Sequence, residues 1–262
     1  MLGVRATGAA LMSVLLLTAC SGGDDEPQAE PSPTSTSASP SATPTPSATP
    51  SSSSDLPASC AELGLDAGAD AQGRALATCL DDALKQAGSG VEQVVGDDLS
   101  ATIRFTWADD VAYAGEVQSS DGPIGLVVVP PTTWVDLGDT WAKSDPDGDE
   151  NEMIAADIGG LVAPVADPGT VVDLVGGSKR WTVGARTEKV DQPDGTTVTA
   201  WPLESAPFTA DGTSVKDAVL WLDDDTLAPV GMKATVTTDG TTTTVTRYFS
   251  QLGEPQTITP PQ

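Results

Sequence analysis

Histidine is absent from the 262-residue chain, and basic residues are scarce, with 12 Lys and Arg against 38 Asp and Glu. The first absence excludes catalytic triads and metal sites that need imidazole. The second excludes a basic stripe, so we expect no nucleic-acid partner and no polybasic membrane patch. The sequence also lacks a phosphate loop, a dinucleotide fingerprint and a Gly-x-Ser-x-Gly elbow. We therefore expect no cofactor and no catalytic residue.

Acidic residues are abundant, but their pattern does not define a site. A hydrolase that uses a carboxylate pair is the weakest hypothesis, because so many acids are present that no pair stands out. The run Asp145–Glu152 begins like a calcium loop, but Glu150 stands where the loop needs glycine and Ala156 where it needs glutamate. We interpret this run as a solvated turn before a helix N-terminus and expect no metal site.

The N-terminus carries the pattern of a lipoprotein signal. Met1–Arg5 is basic, Ala9–Leu16 is a short apolar run, and Leu17–Cys20 reads Leu-Thr-Ala-Cys. This lipobox predicts a signal peptide at residues 1–19 and a diacylglyceryl group on the thiol of Cys20. The apolar run is too short for a spanning helix of about 20 residues. We expect lipid to anchor the protein on the extracytoplasmic side of the cell membrane.

Residues 20–57 comprise the lipidated cysteine and a segment rich in Pro, Ser and Thr. Its composition predicts an extended, solvated tether, and a flexible coil of about thirty-five residues reaches on the order of 30 Å. Residues 58–262 are long enough for one well-packed domain.

With Cys20 assigned to lipid, Cys60 and Cys79 are the one pair left in the chain. An exported protein favours a disulfide here over two free thiols.

The hydrophobic periodicity of the domain changes along the chain. A period near 3.6 predicts helices at Gln72–Gln86, Glu152–Val162 and Pro168–Val175. A period of two predicts strands joined by tight turns, with hairpin turns at Asp194-Gly195 and Asp239-Gly240. The predicted strands are Ala101–Trp107, Val111–Val117, Ile124–Val129, Thr132–Leu137, Trp181–Val190, Thr196–Leu203, Ala218–Asp223, Val230–Thr237 and Thr241–Phe249.

These elements predict an α+β fold in which one curved antiparallel sheet, a half-barrel, has helices covering its concave face. The hollow of such a sheet is either filled by side chains or left for a ligand. Strand parity selects the candidate lining residues, although a one-residue register error would move a whole set to the other face. They are Ile103, Phe105, Trp107, Leu126, Val128, Trp201, Val219 and Trp221.

Four strand-and-turn segments between residues 100 and 262 resemble a known family in order and spacing. They are Trp134–Leu137 with Trp141, Trp181–Thr197, Val219–Val230 and Tyr248–Pro261. They resemble the LolA-like lipoproteins, in particular the LppX/LprG group of envelope lipoproteins. The resemblance implies a half-barrel with a hydrophobic cavity for acyl chains, and proteins that carry or present lipids without catalysis.

Two functions follow as hypotheses. The first is a lipid-binding lipoprotein that carries or presents an acyl-chain ligand in a cavity. The alternative is a non-enzymatic envelope module that has a filled core and works through protein contacts, although the sequence names no protein partner.

The lipobox makes a direct prediction. Metabolic labelling with an alkyne analogue of palmitate should mark the wild-type chain and should not mark Cys20→Ala, because Cys20 is the acylated residue. Cys60→Ala is the matched control and should keep the label. Labelling of Cys20→Ala at the wild-type level would contradict the assignment.

Overall fold

A computed structural model describes residues 56–120, 122–210, 212–238 and 240–262. The predicted signal peptide, Cys20, most of the tether and Asp239 of one predicted turn lie outside these residues. The helices over the described ranges are α1 (Ala58–Ala61), α2 (Gly73–Ala87), α3 (Glu150–Ala166) and α4 (Thr170–Gly177). The strands are β1 (Asp70–Ala71), β2 (Ser89–Val95), β3 (Ser100–Thr106), β4 (Ala112–Ser119), β5 (Gly122–Val129), β6 (Thr132–Asp136), β7 (Trp141–Lys143), β8 (Trp181–Val183), β9 (Glu188–Asp191), β10 (Thr197–Ser205), β11 (Phe208–Ala210), β12 (Thr213–Asp223), β13 (Pro229–Thr238) and β14 (Thr241–Ser250).

All of these strands belong to one antiparallel sheet. Its order is β1-β8-β10-β12-β13-β14-β2-β3-β4-β5-β6-β7, with β9 paired to β10 and β11 paired to β12. Strands β2 to β7 form a consecutive meander, and the pairing of β14 with β2 joins the two halves. The sheet is open, because no pairing among the described residues joins β1 to β7.

The helices pack on one face of this sheet. Helix α3 contacts β3 to β7, α2 contacts β2 and β13, and α4 contacts α2 and β11. Ile103 and Leu126 from the strands are buried in one cluster with Leu80, Val162 and Val175 from the helices. Burying the apolar face of the sheet against the helices is the main driving force for this arrangement. It fits the predicted curved α+β sheet.

Strand β12 contains a bulge that changes which side chains face the helices. Lys216 pairs with Thr235 and Val219 pairs with Lys233, so β12 carries one residue more than its partner, and Asp217 adopts φ +49°. Before the bulge Val215 faces the core, and after it Leu220 does. An extra residue reverses the parity of the strand.

One predicted strand is divided in the structure, and one central strand of the sheet was not predicted. The strand predicted at Trp181–Val190 is two short strands, β8 and β9, that pair with opposite ends of β10. Pro202 lies between those ends, and its missing N–H interrupts the ladder. Strand β2, which the sequence analysis did not predict, lies between β14 and β3 in the middle of the sheet.

The predicted disulfide is confirmed. Cys60 in α1 and Cys79 in α2 are bonded, with a Cα–Cα distance of 4.6 Å. Both residues are buried, and α1 packs on α2. The bond therefore holds the start of the folded domain against its first long helix.

Removing this bond should destabilise the fold. The double variant Cys60→Ala/Cys79→Ala should lose about 3 kcal/mol of unfolding free energy, because the closed loop of about twenty residues restricts the unfolded chain. Urea unfolding measures the difference. Reductant should lower the wild-type midpoint and leave that of the variant unchanged, whereas equal midpoints for both chains without reductant would refute the prediction.

Candidate functional site

An apolar groove of about 510 Å³ lies between the middle of the sheet and the turn from α3 to α4. Its floor comes from β2, β13 and β14, and its rim comes from α3, α4 and the β11–β12 connection. The lining residues are Val94, Leu99, Pro164, Val165, Thr170, Asp173, Leu174, Ala210, Thr213, Met232, Ala234, Val236, Thr238, Thr243, Val245 and Arg247. The volume is within the ordinary range for small-molecule sites.

Alternation along two strands explains the apolar floor. Met232, Ala234 and Val236 of β13 face the groove, and the intervening residues face the other side of the sheet. On β14 the groove residue Val245 pairs with Ala234. Because both side chains of this pair are small, they leave the space between the strands and the helices open.

A buried ion pair closes one end of the groove. The guanidinium of Arg247 donates to Glu92 Oε1 at 2.8 Å. The side chain of Arg247 is 8% exposed and that of Glu92 is 0% exposed. Arg247 lies on β14, where it pairs directly with Val94 of the neighbouring strand β2. Glu92 lies on β2 as well, two residues before Val94. The pair is thus held by the sheet itself.

The same arginine caps the end of α3. Its Nη2 donates to the carbonyl of Val165 at 2.9 Å, and its Nη1 donates to that of Asp167 at 3.2 Å. Tyr113 donates its hydroxyl to the carbonyl of Ala163 at 3.4 Å. Carbonyls at a helix C-terminus have no partner within the helix, and a cation there is favourable. Arg247 therefore joins the sheet, Glu92 and the helix end.

Burial raises the pKa of Glu92 to about 7, and the positive charge of Arg247 opposes that rise. Among the described residues, the second carboxyl oxygen of Glu92 has no hydrogen-bond partner. Burial and the nearby Asp167 and Glu92 also raise the pKa of Tyr113, so its hydroxyl remains a neutral donor.

The structure places the predicted lining residues outside the groove. Ile103, Phe105, Trp107 and Leu126 are buried in the packed core, and the Phe105 ring contacts those of Trp107 and Phe249 edge-on. Val128 and Trp201 are half-buried against the same core.

Val219 and Trp221 require a correction, because they lie on the opposite face of the sheet from Leu220 and Leu222. Trp221 packs there against a small cluster with Val190 and Ala200. Their assignment took the wrong face of the predicted strand Ala218–Asp223, because the residues of this strand that face the core are Ala218, Leu220 and Leu222. None of the eight predicted residues lines the groove.

The acidic run before α3 is a helix cap. Asp149 is the N-cap, and its carboxylate accepts from the backbone N–H of Asn151 and Glu152, while the Glu152 carboxylate accepts from the N–H of Asp149. This reciprocal capping box satisfies donors that the helix leaves free. Over the described ranges, no three Cys, Asp or Glu residues are grouped as a metal site would require.

A helix that spans a bilayer needs about 20 mostly apolar residues. Within the described residues, no single helix has both the length and the apolar composition to span a bilayer. Helices α3 and α4 meet that criterion together, but they are bent by 63° at the break between them.

Comparisons with known proteins add little to this geometry. No protein-family model matches the chain. No curated protein matches it either. Among solved structures, a DUF1329 family protein from Desulfovibrio piger matches with 10% identity over 68% of this chain and 90% of that chain, at a TM-score of 0.27. A likeness at this TM-score supports no argument about fold or function.

The raised pKa of Glu92 predicts a specific pH dependence. Between its ordinary value of 4.5 and about 7, the unfolded chain has released the Glu92 proton and the native chain retains it. Unfolding then releases a proton, so the free energy of unfolding falls as the pH rises through this range. Urea unfolding from pH 4 to 8 should show that the free energy of unfolding of wild type decreases with pH relative to that of Glu92→Gln.

Arg247→Met provides the companion measurement. Without the guanidinium charge, burial and the nearby Asp167 both raise the pKa of Glu92 unopposed, and the decline should extend to higher pH. If the difference in unfolding free energy between wild type and Glu92→Gln did not change from pH 4 to 8, the raised pKa of Glu92 would be disproved.

Proposed function

We propose that the protein binds a lipid through its acyl chain in the groove above β13 and β14, and carries or presents it as a lipid-anchored protein on the extracytoplasmic side of the cell membrane. The observation that carries the proposal is the groove itself, which is open and lined mainly by aliphatic side chains. A hydrophobic surface left uncovered in this way is typical of a ligand site.

The energetics favour an acyl chain as the ligand. Each buried CH₂ contributes about 0.8 kcal/mol, so shape and an apolar lining supply most of the affinity. The polar residues of the lining include Thr170 and Asp173 at the helical rim and Arg247 at one end. These residues would contact the polar headgroup of a bound lipid, while its acyl chain would lie on Val236 and Val245.

The resemblance of four sequence segments to the LolA-like lipoproteins supports the same proposal. That resemblance implies a half-barrel with helices over its concave face and a cavity between the two layers. An open antiparallel sheet with helices on one face is compatible with it. The lipobox at Cys20 and the tether up to residue 57 complete the proposed arrangement, with the domain kept close to the membrane from which it takes its ligand.

The proposal assigns no catalysis. Glu92 is the carboxyl group whose pKa burial raises, and it is fully buried beside Arg247 rather than exposed in the groove. The alternative of a protein-interaction module draws support from the packed core around Phe105, where side chains fill the space between sheet and helices. The groove favours the lipid hypothesis.

A bulky side chain in the groove should abolish binding. Val245→Trp would fill the floor, and Thr244→Trp is the matched control because Thr244 points to the opposite face of the same strand and bonds Thr235. We expect Val245→Trp to lose at least tenfold of the affinity for a fluorescent long-chain fatty acid, and Thr244→Trp to stay near wild type.

Lipid extraction and mass spectrometry of the purified chains provide a second measurement. Wild type and Thr244→Trp should contain co-purified lipid, and Val245→Trp should contain little. A wild-type chain without bound or exchangeable lipid would refute the proposed function, and so would equal binding by the two tryptophan variants.

A further inference from the structure

Helix α3 exposes an apolar surface that the fold leaves uncovered. Leu161 is 76% exposed, Met153 45% and Ile154 42%. We call these three residues the α3 stripe. Glu150 and Asp157 are exposed on the same side of the helix, so the stripe is an apolar surface with charged neighbours. The inner side of α3 does pack on the sheet, through Ala155 and Val162, whereas the stripe has no covering element in the described chain.

The stripe leads directly to the groove. Pro164 is exposed and lies three residues after Leu161, which places both on the same side of the helix. Pro164 and Val165 also line the groove. The apolar surface of α3 is therefore continuous with the apolar lining of the proposed lipid site.

The second half of α3 carries no charge, which favours an apolar binding partner for the stripe. The first turn of α3 is acidic and Asp157 is exposed, but residues 158–166 of this helix contain no charged side chain. The whole chain has a net charge of −26. The neutral, apolar part of α3 is thus a local exception on an acidic protein, and it is the part that borders the groove.

We propose that the α3 stripe docks on the lipid bilayer and places the mouth of the groove against the membrane. This inference rests on the proposed function. A bilayer is the occupant that the chain itself supplies, because the sequence predicts a lipid on Cys20 and a tether of about thirty-five residues that reaches on the order of 30 Å. Asp157 lies on the same face, four residues from both Met153 and Leu161, and keeps the helix at the level of the headgroups while the apolar side chains enter the interface.

Docking in this orientation gives a lipid a short path into the protein. An acyl chain that leaves the bilayer beside Leu161 meets Pro164 and Val165 next, and these residues already belong to the groove. Its apolar surface is then covered by protein throughout the transfer, which avoids exposure to water.

A site-specific fluorescent label tests the docking in the full-length, lipid-anchored protein. Cys60 and Cys79 are bonded, and Cys20 is the predicted acylation site, so an introduced cysteine is expected to be the one free thiol among the cysteines of this chain. Leu161→Cys and Met153→Cys place the label in the stripe. Val95→Cys is the matched control, because Val95 is 45% exposed, as Met153 is, but lies at the end of β2.

The labelled chains are reconstituted into phosphatidylcholine vesicles that contain a lipid with a spin label on its acyl chain. We expect the spin label to quench the fluorophore at positions 161 and 153 at least threefold more than at position 95. Aqueous iodide should show the reverse order. Equal lipid quenching at the three positions would overturn the proposal, and so would protection of position 161 from both quenchers, which would indicate a protein partner or a second copy.

The same preparations separate this proposal from the proposed function. If lipid is bound in the groove but position 161 is not quenched by lipid, the docking is wrong and the function stands. If position 161 is quenched but no lipid is bound, the function is wrong.

Loading of the fluorescent fatty acid gives the kinetic counterpart. Leu161→Glu should slow loading from vesicles at least fivefold and leave loading from monomeric solution unchanged, whereas equal loading rates would overturn the docking.

Discussion

The pairing of Arg247 with Glu92 is the constraint on which the site depends. It connects the two strands at the junction of the sheet, β14 and β2, to the last carbonyls of α3. Removing one partner of a buried pair leaves an uncompensated polar group, which costs about 3–5 kcal/mol. The carboxyl group of Glu92 has no exposed surface, and its Oε2 has no hydrogen-bond partner among the described residues, so Arg247 is the group there that offsets the cost of burying it.

That position determines where the protein is filled and where it is open. Beside Phe105 and Leu126, large side chains occupy the space between sheet and helices. Beyond Arg247, the end of α3 and the turn into α4 are held over small residues such as Ala234, and a groove remains. The filled part and the open part are the two alternatives that the sequence left for the hollow of the sheet, and the open part borders the exposed surface of α3. The proposed lipid site and the proposed membrane-facing surface then share one helix.

Much of the fold could be predicted from local pattern. The period of 3.6 around Leu76 and Leu80 gave α2, and export with Cys60 and Cys79 gave the disulfide. Strand β2 was missed, because Glu92 is a charged residue at a buried position and only its partner on β14, 155 residues away in the chain, makes that burial tolerable. The groove was missed for a different reason. Its floor comes from β13 and β14, and the alternation of side chains along a strand does not show which part of the sheet the helices leave uncovered.

The groove between β13, β14 and the α3–α4 turn is the proposed site for an acyl chain. A crystal structure of the protein purified from membranes and exchanged into detergent-free buffer would test this occupancy. An occupied groove should show continuous, elongated electron density along Val236 and Val245, with its polar end near Arg247, Thr170 or Asp173. A groove that contains only ordered water, or that is closed by movement of α4 onto the sheet, would contradict the proposal.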